Sequence, residues 1–367
     1  MKRLELMDYG RLLAAVAVML YHYIYIGPKF DHITTYEMPQ WLQSLSIYGQ
    51  LGVEFFFLIS GYVIFYSALN RSAGDFLAAR ATRLFPTFWV CMTITAICIW
   101  LWGSSTMLLY KSQYLAHLTM LPRDLGHPYI DGVYWTLMWE IHFYLLVACI
   151  LLFGLGRWLR IFFLAWPIII FGCWLTGIES IPWTSGNYAY FAAGAVFALM
   201  KHQRSWMAIV SLICGFVVCF DETVPSWGTS SQSPIITAIL IFSFFAFFFI
   251  QNTDRAAALR LPGSKLAGAL TYPLYLLHQN IGYIMLDHWA TPRTKYYWVA
   301  AVSLMMLAMA FLVHIFIERL PAAQWKWLFN TLVAWPVNRL TAWAERWIML
   351  IVLRTRSIFA KDTTPAA

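Results

Sequence analysis

Charge is what this chain has least of. Asp, Glu, Lys and Arg make up 11% of its 367 residues, against 61% hydrophobic residues and a mean hydropathy of +0.64. Soluble domains carry about 25% charged residues, so a soluble globular class is excluded and a polytopic membrane protein is read. Cysteine is equally uninformative as a staple. All six (Cys91, Cys98, Cys149, Cys173, Cys214, Cys219) fall in apolar stretches, so no disulfide framework is expected. The first apolar run lacks a small-residue cleavage site and Arg11 interrupts its start, so it reads as a retained span rather than a signal peptide. No convincing internal repeat is found, and neither a metal site nor a tightly bound cofactor is expected.

Ten apolar stretches lie near 10–26, 47–69, 84–103, 133–153, 161–177, 187–200, 206–220, 234–250, 270–288 and 297–318. Their lengths suit membrane helices, giving an all-α fold of about ten crossings. A net charge of +8 raises a nucleic-acid partner as a possibility. The distribution argues otherwise: with both termini on one side, that side holds 20 of the Lys and Arg residues and the opposite side 5 (Lys29, Lys111, Arg123, Arg293, Lys295). By the positive-inside rule both termini are cytoplasmic, and the basic excess is topology. The domain division predicted is a membrane domain over 1–320 and a cytoplasmic Trp/Arg-rich tail over 321–367.

Ionisable residues inside such spans require a reason. Arg11 and His22 are eleven residues apart. A helix turns about 1,100° over that distance, leaving the two side chains roughly 20° apart on one face and about 16 Å apart along the axis. A guanidinium suits a phosphorylated ligand and an imidazole can shuttle a proton near neutral pH, so the pair reads as the start of a catalytic tunnel. The bland alternative is an interfacial anchor plus a buried structural His. The second span carries Glu54 and the small pair Ser60-Gly61, which reads most simply as a close helix contact, and a buried carboxylate calls for a partner. Arg80 and Arg83 share a helix face just before the third span, as an anion grip or as ordinary inner-face anchoring. Trp135 opens the fourth span, and Glu140 is predicted at a depth similar to His22, where a carboxylate would orient the imidazole. His142 points away from Glu140. The ninth span contains Tyr272-Pro273-Leu-Tyr275-Leu-Leu-His278-Gln279-Asn280, a Pro kink with a polar run that suits a cavity wall. His314 and Glu318 read as interfacial.

Outside the spans, the loop from about Ser104 to Gly132 holds His117, Arg123, Asp124, His127 and Asp131, which could face an acceptor or merely cap the spans. The tail interleaves five Trp (Trp325, Trp327, Trp335, Trp343, Trp347) with basic residues, the composition of helices lying in the inner membrane interface.

In combination these motifs resemble the acyltransferase-3 family of integral membrane O-acyltransferases. The pieces are the Arg11 and His22 spacing, Gly52-Val-Glu54 through Ser60-Gly61, Arg80-x-x-Arg83 with Pro86, Trp135-Thr-Leu through Glu140, and Tyr272 to His278, together covering about 8 to 320. Glu54 stands where the family more often has Asp, and Met-Trp-Glu-Ile stands where Ser-Val-Glu-Trp is commoner. Some relatives carry a C-terminal hydrolase-like domain with a Gly-Asp-Ser motif, which is not seen here. The resemblance implies an acyl-coenzyme A co-substrate taken from the cytoplasm, most often acetyl-CoA. It implies an acceptor hydroxyl on a surface glycan or lipid-linked oligosaccharide at the outer face, and a bacterial inner-membrane location. On this reading Arg11, Arg80 and Arg83 hold the donor phosphates and His22 is the general base oriented by Glu140. Glu54, Ser60, Trp135, Tyr275 and His278 line the cavity. The competing class is a proton-coupled secondary transporter using the intramembrane Glu and His residues.

Overall fold

The computed structural model describes residues 4–104, 107, 109–178, 181–201, 204–225, 231–343 and 346. Among them there is no strand. Ten long helices dominate: α1 Glu5–Tyr21, α2 Gly52–Ala68, α3 Ala73–Trp102, α4 Trp135–Leu152, α5 Leu159–Thr176, α6 Gly186–Met200, α7 Trp206–Thr223, α8 Pro234–Gln251, α9 Ser264–Trp289 and α10 Lys295–Val313. Each predicted apolar stretch lies largely within one of them. Lipid cannot satisfy backbone N–H and C=O groups, so apolar sequence of this kind settles into helices that bond internally.

Among the described residues, eight helical segments are long and apolar enough to cross a membrane, and they include every long helix except α6 and α9. These two are the interior of the bundle. The 15-residue α6 is buried along almost its whole length. It meets α2 backbone to backbone: a Cβ on Gly61 would lie 1.9 Å from Phe191 O, and one on Gly194 2.0 Å from Leu58 O. Water does not drive helices together in lipid, so such small-residue contacts supply the close packing. The other exception, α9, owes its modest hydropathy to the polar run around His278, which is buried against neighbouring helices.

Two deviations from α-geometry prepare the site. At the end of α1 the chain widens into a π-turn, His22–Ile26, with Gly27 N–H given to His22 O instead of Tyr23 O. The released Tyr23 carbonyl accepts Tyr36 OH at 2.9 Å. Such π-turns frequently accompany functional residues. Helix α3 begins at Ala73, eleven residues before the predicted span, and its first turns carry Arg80 and Arg83.

The segment after α10 packs against the bundle. A helix at Ala322–Phe329 packs on α3, with Phe329 6.1 Å from the Phe85 ring and 6.2 Å from that of Trp89. Further on, Asn338 Oδ1 accepts Gly74 N–H at 3.1 Å, capping a backbone group that the first turn of a helix leaves free. Its Nδ2 donates to Asp75 Oδ1 at 3.3 Å. A Cβ on Gly74 would meet Asn338 Oδ1 at 2.4 Å, so glycine is what admits the tail here. The predicted interfacial run beginning at Trp347 lies outside the described residues.

Candidate active site

A cavity of about 280 Å³ opens between α1, α2, α3, α4 and α9. Each helix gives it one face at helical spacing: Arg11 from α1; Val53, Phe56, Ser60 and Ile64 from α2; Arg80, Arg83 and Leu84 from α3; Thr136, Glu140 and Tyr144 from α4; Thr271, Tyr272 and Tyr275 from α9. The motifs that lie far apart in sequence thus converge.

Three guanidiniums share this wall with one carboxylate. Among the described residues none of the three arginines forms a salt bridge. Arg80 Nε is buried with no hydrogen-bond partner, its guanidinium lying 5.9 Å from the Tyr144 ring centre. A buried guanidinium nitrogen left without a partner is costly. Arginine forks match phosphate oxygens, so the wall is chemically an anion site.

Glu140 belongs to this cavity, and its partners correct the prediction that it orients His22. Its Oε1 accepts from Ser60 Oγ at 3.1 Å and from Tyr144 OH one helical turn away. The partner of His22 is His278, with His278 Nε2 3.2 Å from His22 Nδ1 and ring centres 5.0 Å apart. The hydrogen-bond network assigns the tautomers. His278 Nδ1 lies 2.9 Å from Tyr275 O and 3.2 Å from Leu274 O, so it carries the proton and its Nε2 holds a lone pair. His22 Nδ1 faces two acceptors, Val18 O at 2.8 Å and that lone pair, so it too is protonated. The remaining nitrogen, His22 Nε2, is left as a base.

Tyr275 joins the two halves. It lines the arginine cavity, and its ring centre is 5.7 Å from that of His278. Its hydroxyl is 2.9 Å from Thr136 Oγ1 and donates to Val133 O at 3.1 Å, which fixes the ring. Behind His278, Tyr23 OH donates to the His278 carbonyl at 2.7 Å, passing where a Cβ on Gly282 would be 2.2 Å from the same hydroxyl oxygen. Asp131 braces the next turn: Oδ2 accepts Asn280 N–H at 3.0 Å and Oδ1 accepts Val133 N–H at 3.2 Å. Burial pushes its carboxyl up to about 7 against the pull of these two amides.

Of the predicted cavity residues, Ser60 and Tyr275 line it. Glu54, Trp135 and His278 do not. Glu54 projects from another side of α2, its Oε2 buried without a partner. Trp135 sits at the first turn of α4, 37% exposed, with its ring edge-on to Phe57. His278 is fully buried in the dyad instead. His142 does turn away from Glu140, pairing with Asp124 at 2.8 Å. His314 bonds Glu318 at 2.8 Å, and Glu318 also accepts from Thr87 at 2.9 Å. In the outer loop His117 is structural. It is buried, with Nδ1 bonded to Gln113 O at 2.8 Å and Nε2 accepting Ile130 N–H at 3.0 Å, and burial lowers its pKa to about 4. Tyr144 was missed as a site residue, although it lies one helical turn from Glu140, whereas Tyr272 lies in the ninth-span run expected to wall a cavity.

The family model described as an acyltransferase domain matches residues 5–316. Nodulation protein 10 of Rhizobium leguminosarum bv. viciae is 23% identical over 321 residues, covering 77% of this chain and 85% of its own length. The O-acetyl transferase of Shigella phage Sf6 is 28% identical over 160 residues, 38% of this chain and 44% of its own length. No solved structure matches. A proton-coupled transporter is not favoured by these matches. The cavity of unpaired arginines, the histidine dyad beyond it and a family match across most of the chain lead to one assignment: this integral membrane protein belongs to the acyltransferase-3 family and is an acyltransferase.

Proposed function

We propose that the protein transfers an acyl group, most often acetyl, from acyl-coenzyme A to a hydroxyl of a cell-surface or lipid-linked glycan, in a bacterial inner membrane. The observation that carries this reading is the pairing of an unneutralised arginine wall with a histidine base beyond it, joined through Tyr275. Coenzyme A has phosphates at one end and its thioester on a long slim arm. On this reading Arg11, Arg80 and Arg83 hold the phosphates at the cytoplasmic face, and the arm runs outward past Glu140 and Tyr275. The helical rise between Arg11 and His22, about 16 Å, is comparable to the reach of that arm.

His22 Nε2 takes the proton of the acceptor hydroxyl as its oxygen attacks the thioester carbon. The C–S bond breaks, the ester C–O bond forms, and the proton passes to the departing thiolate, so no external acid or base is consumed. His278 holds His22 in the required tautomer and stabilises its cation. Glu140, held by Ser60 and Tyr144, keeps a negative charge among the arginines at the end nearer the chemistry. The O-acetyl transferase relative supports acetyl as the group moved.

The test is acyl transfer by the full chain in proteoliposomes, with acetyl-CoA as donor and a surface-glycan acceptor. His22→Ala should abolish transfer while the protein stays folded and binds donor. Near-normal turnover in that variant removes His22 from the mechanism.

A further inference from the structure

Beside the arginine cavity, α3, the π-turn His314–Arg319 that follows α10, and the tail line a second cavity of about 220 Å³. Arg83 lines both. The helix geometry explains the sharing: Arg80, Arg83 and Leu84 face the first cavity, Ala79, Thr82 and Pro86 face the second, and Arg83 stands at the boundary. Trp325 contributes a wall from the tail helix, beyond the segment that matches the family model. Its indole is pinned, with Nε1 donating at 2.9 Å to Ile317 O. That carbonyl is available because Pro321, four residues on, has no N–H to give it.

We propose that this second cavity receives the adenine ring of the donor, while Arg83 holds phosphate between the two cavities. The inference rests on the donor being an acyl-coenzyme A. Its volume is below the ~300–1,000 Å³ of pockets that enclose a whole small ligand, so it takes one moiety. Glu318 lines it; its oxygens already accept from Thr87 and His314, and the lone pairs left over repel phosphate but accept a hydrogen bond from an exocyclic amine. An indole wall offers a stacking surface for a flat base. The chemistry therefore divides: phosphates at the arginines, base beyond Arg83. It also gives the tail a task, since without Trp325 the cavity loses a wall.

The experiment compares two donors, acetyl-CoA and acetyl-4′-phosphopantetheine, which lacks the adenosine bisphosphate. In the wild type, acetyl-CoA should have the lower KM. Trp325→Leu should raise the KM for acetyl-CoA on the order of tenfold, leaving kcat and the KM for the truncated donor unchanged. Trp325→Phe, which keeps a ring, should restore most of the difference. Parallel changes with both donors would make Trp325 a packing residue and overturn the proposal, as would no change with either. If the wild type uses both donors equally well, the adenine subsite falls while the acyl-CoA reading stands. If it transfers from neither, both fall.

Discussion

Removing the guanidiniums of Arg80 and Arg83 separates a ligand-binding role from a structural one, because among the described residues neither forms a salt bridge. Each charge-assisted hydrogen bond to a phosphate contributes about 1.5–3 kcal/mol. Losing one arginine should therefore weaken acetyl-CoA binding about 10- to 150-fold, and losing both roughly a hundredfold or more. The effect on folding should have the opposite sign to that of an ordinary buried-charge deletion. Breaking a buried pair destabilises because the partner is stranded, but here no carboxylate is stranded. Deleting the unpartnered Nε of Arg80 relieves a desolvation cost of about 1–3 kcal/mol. The donor-free Arg80→Ala, Arg83→Ala variant should thus melt no lower than the wild type, while isothermal titration with acetyl-CoA in detergent shows the affinity loss. Arg80→Lys should recover only part of it, since an ammonium keeps the charge and loses the fork. Unchanged affinity in the folded double variant would reduce these arginines to topology signals, and a large drop in melting temperature would make them structural.

Glu140→Gln keeps an acceptor for Ser60 and Tyr144 while removing the cavity's carboxylate, so turnover should fall with no loss of acetyl-CoA affinity; a parallel loss of donor binding would contradict this. Gly282→Ala puts a methyl where Tyr23 OH reaches the His278 carbonyl, so His278 should shift and the transfer rate drop at least tenfold, with donor affinity retained as read by titration. His117 is neutral in the fold, with its pKa lowered from 6.5 to about 4. Its stabilisation is complete above the unfolded value and lost as pH falls toward 4, so the difference in melting temperature between wild type and His117→Leu should shrink from pH 7 to pH 4. A difference independent of pH over that range would refute the assignment.

Much of this was legible before any coordinates. Ten apolar stretches anticipated ten long helices, because a continuous apolar run of this length satisfies its backbone groups in lipid as a helix. The Arg80 and Arg83 pair could be placed on one face because a spacing of three is local helical geometry. The pairing of Glu140 with His22 failed for a different reason. Depth along a helix can be counted from sequence, but azimuth depends on how neighbouring helices rotate about their axes. Glu140 faces Ser60 and Tyr144, and His22 meets a residue 256 positions away. The tail's packing was not legible: composition suits it to a membrane interface, but its seat on α3 through Phe329 and Asn338 depends on contacts that sequence spacing does not encode.

The polar run of α9 shows why these long-range pairings hold. A helix carrying His278, Gln279 and Asn280 through the middle of a bundle must satisfy each of them or lose its place. The surrounding chain does so for His278 and Asn280 from three directions. Tyr23, from the π-turn of α1, occupies the His278 carbonyl; Asp131 takes Asn280 N–H; and Ile130 O accepts Asn280 Nδ2 at 2.9 Å. Tyr134 OH adds a bond to Leu276 O at 3.2 Å. The bonds that compensate for polarity in α9 also fix the azimuth of His278, and through it the tautomer of His22. In this bundle the cost of burying polar groups and the positioning of the base are met by the same hydrogen bonds. On the proposed mechanism, segment 130–134 therefore positions the base through α9.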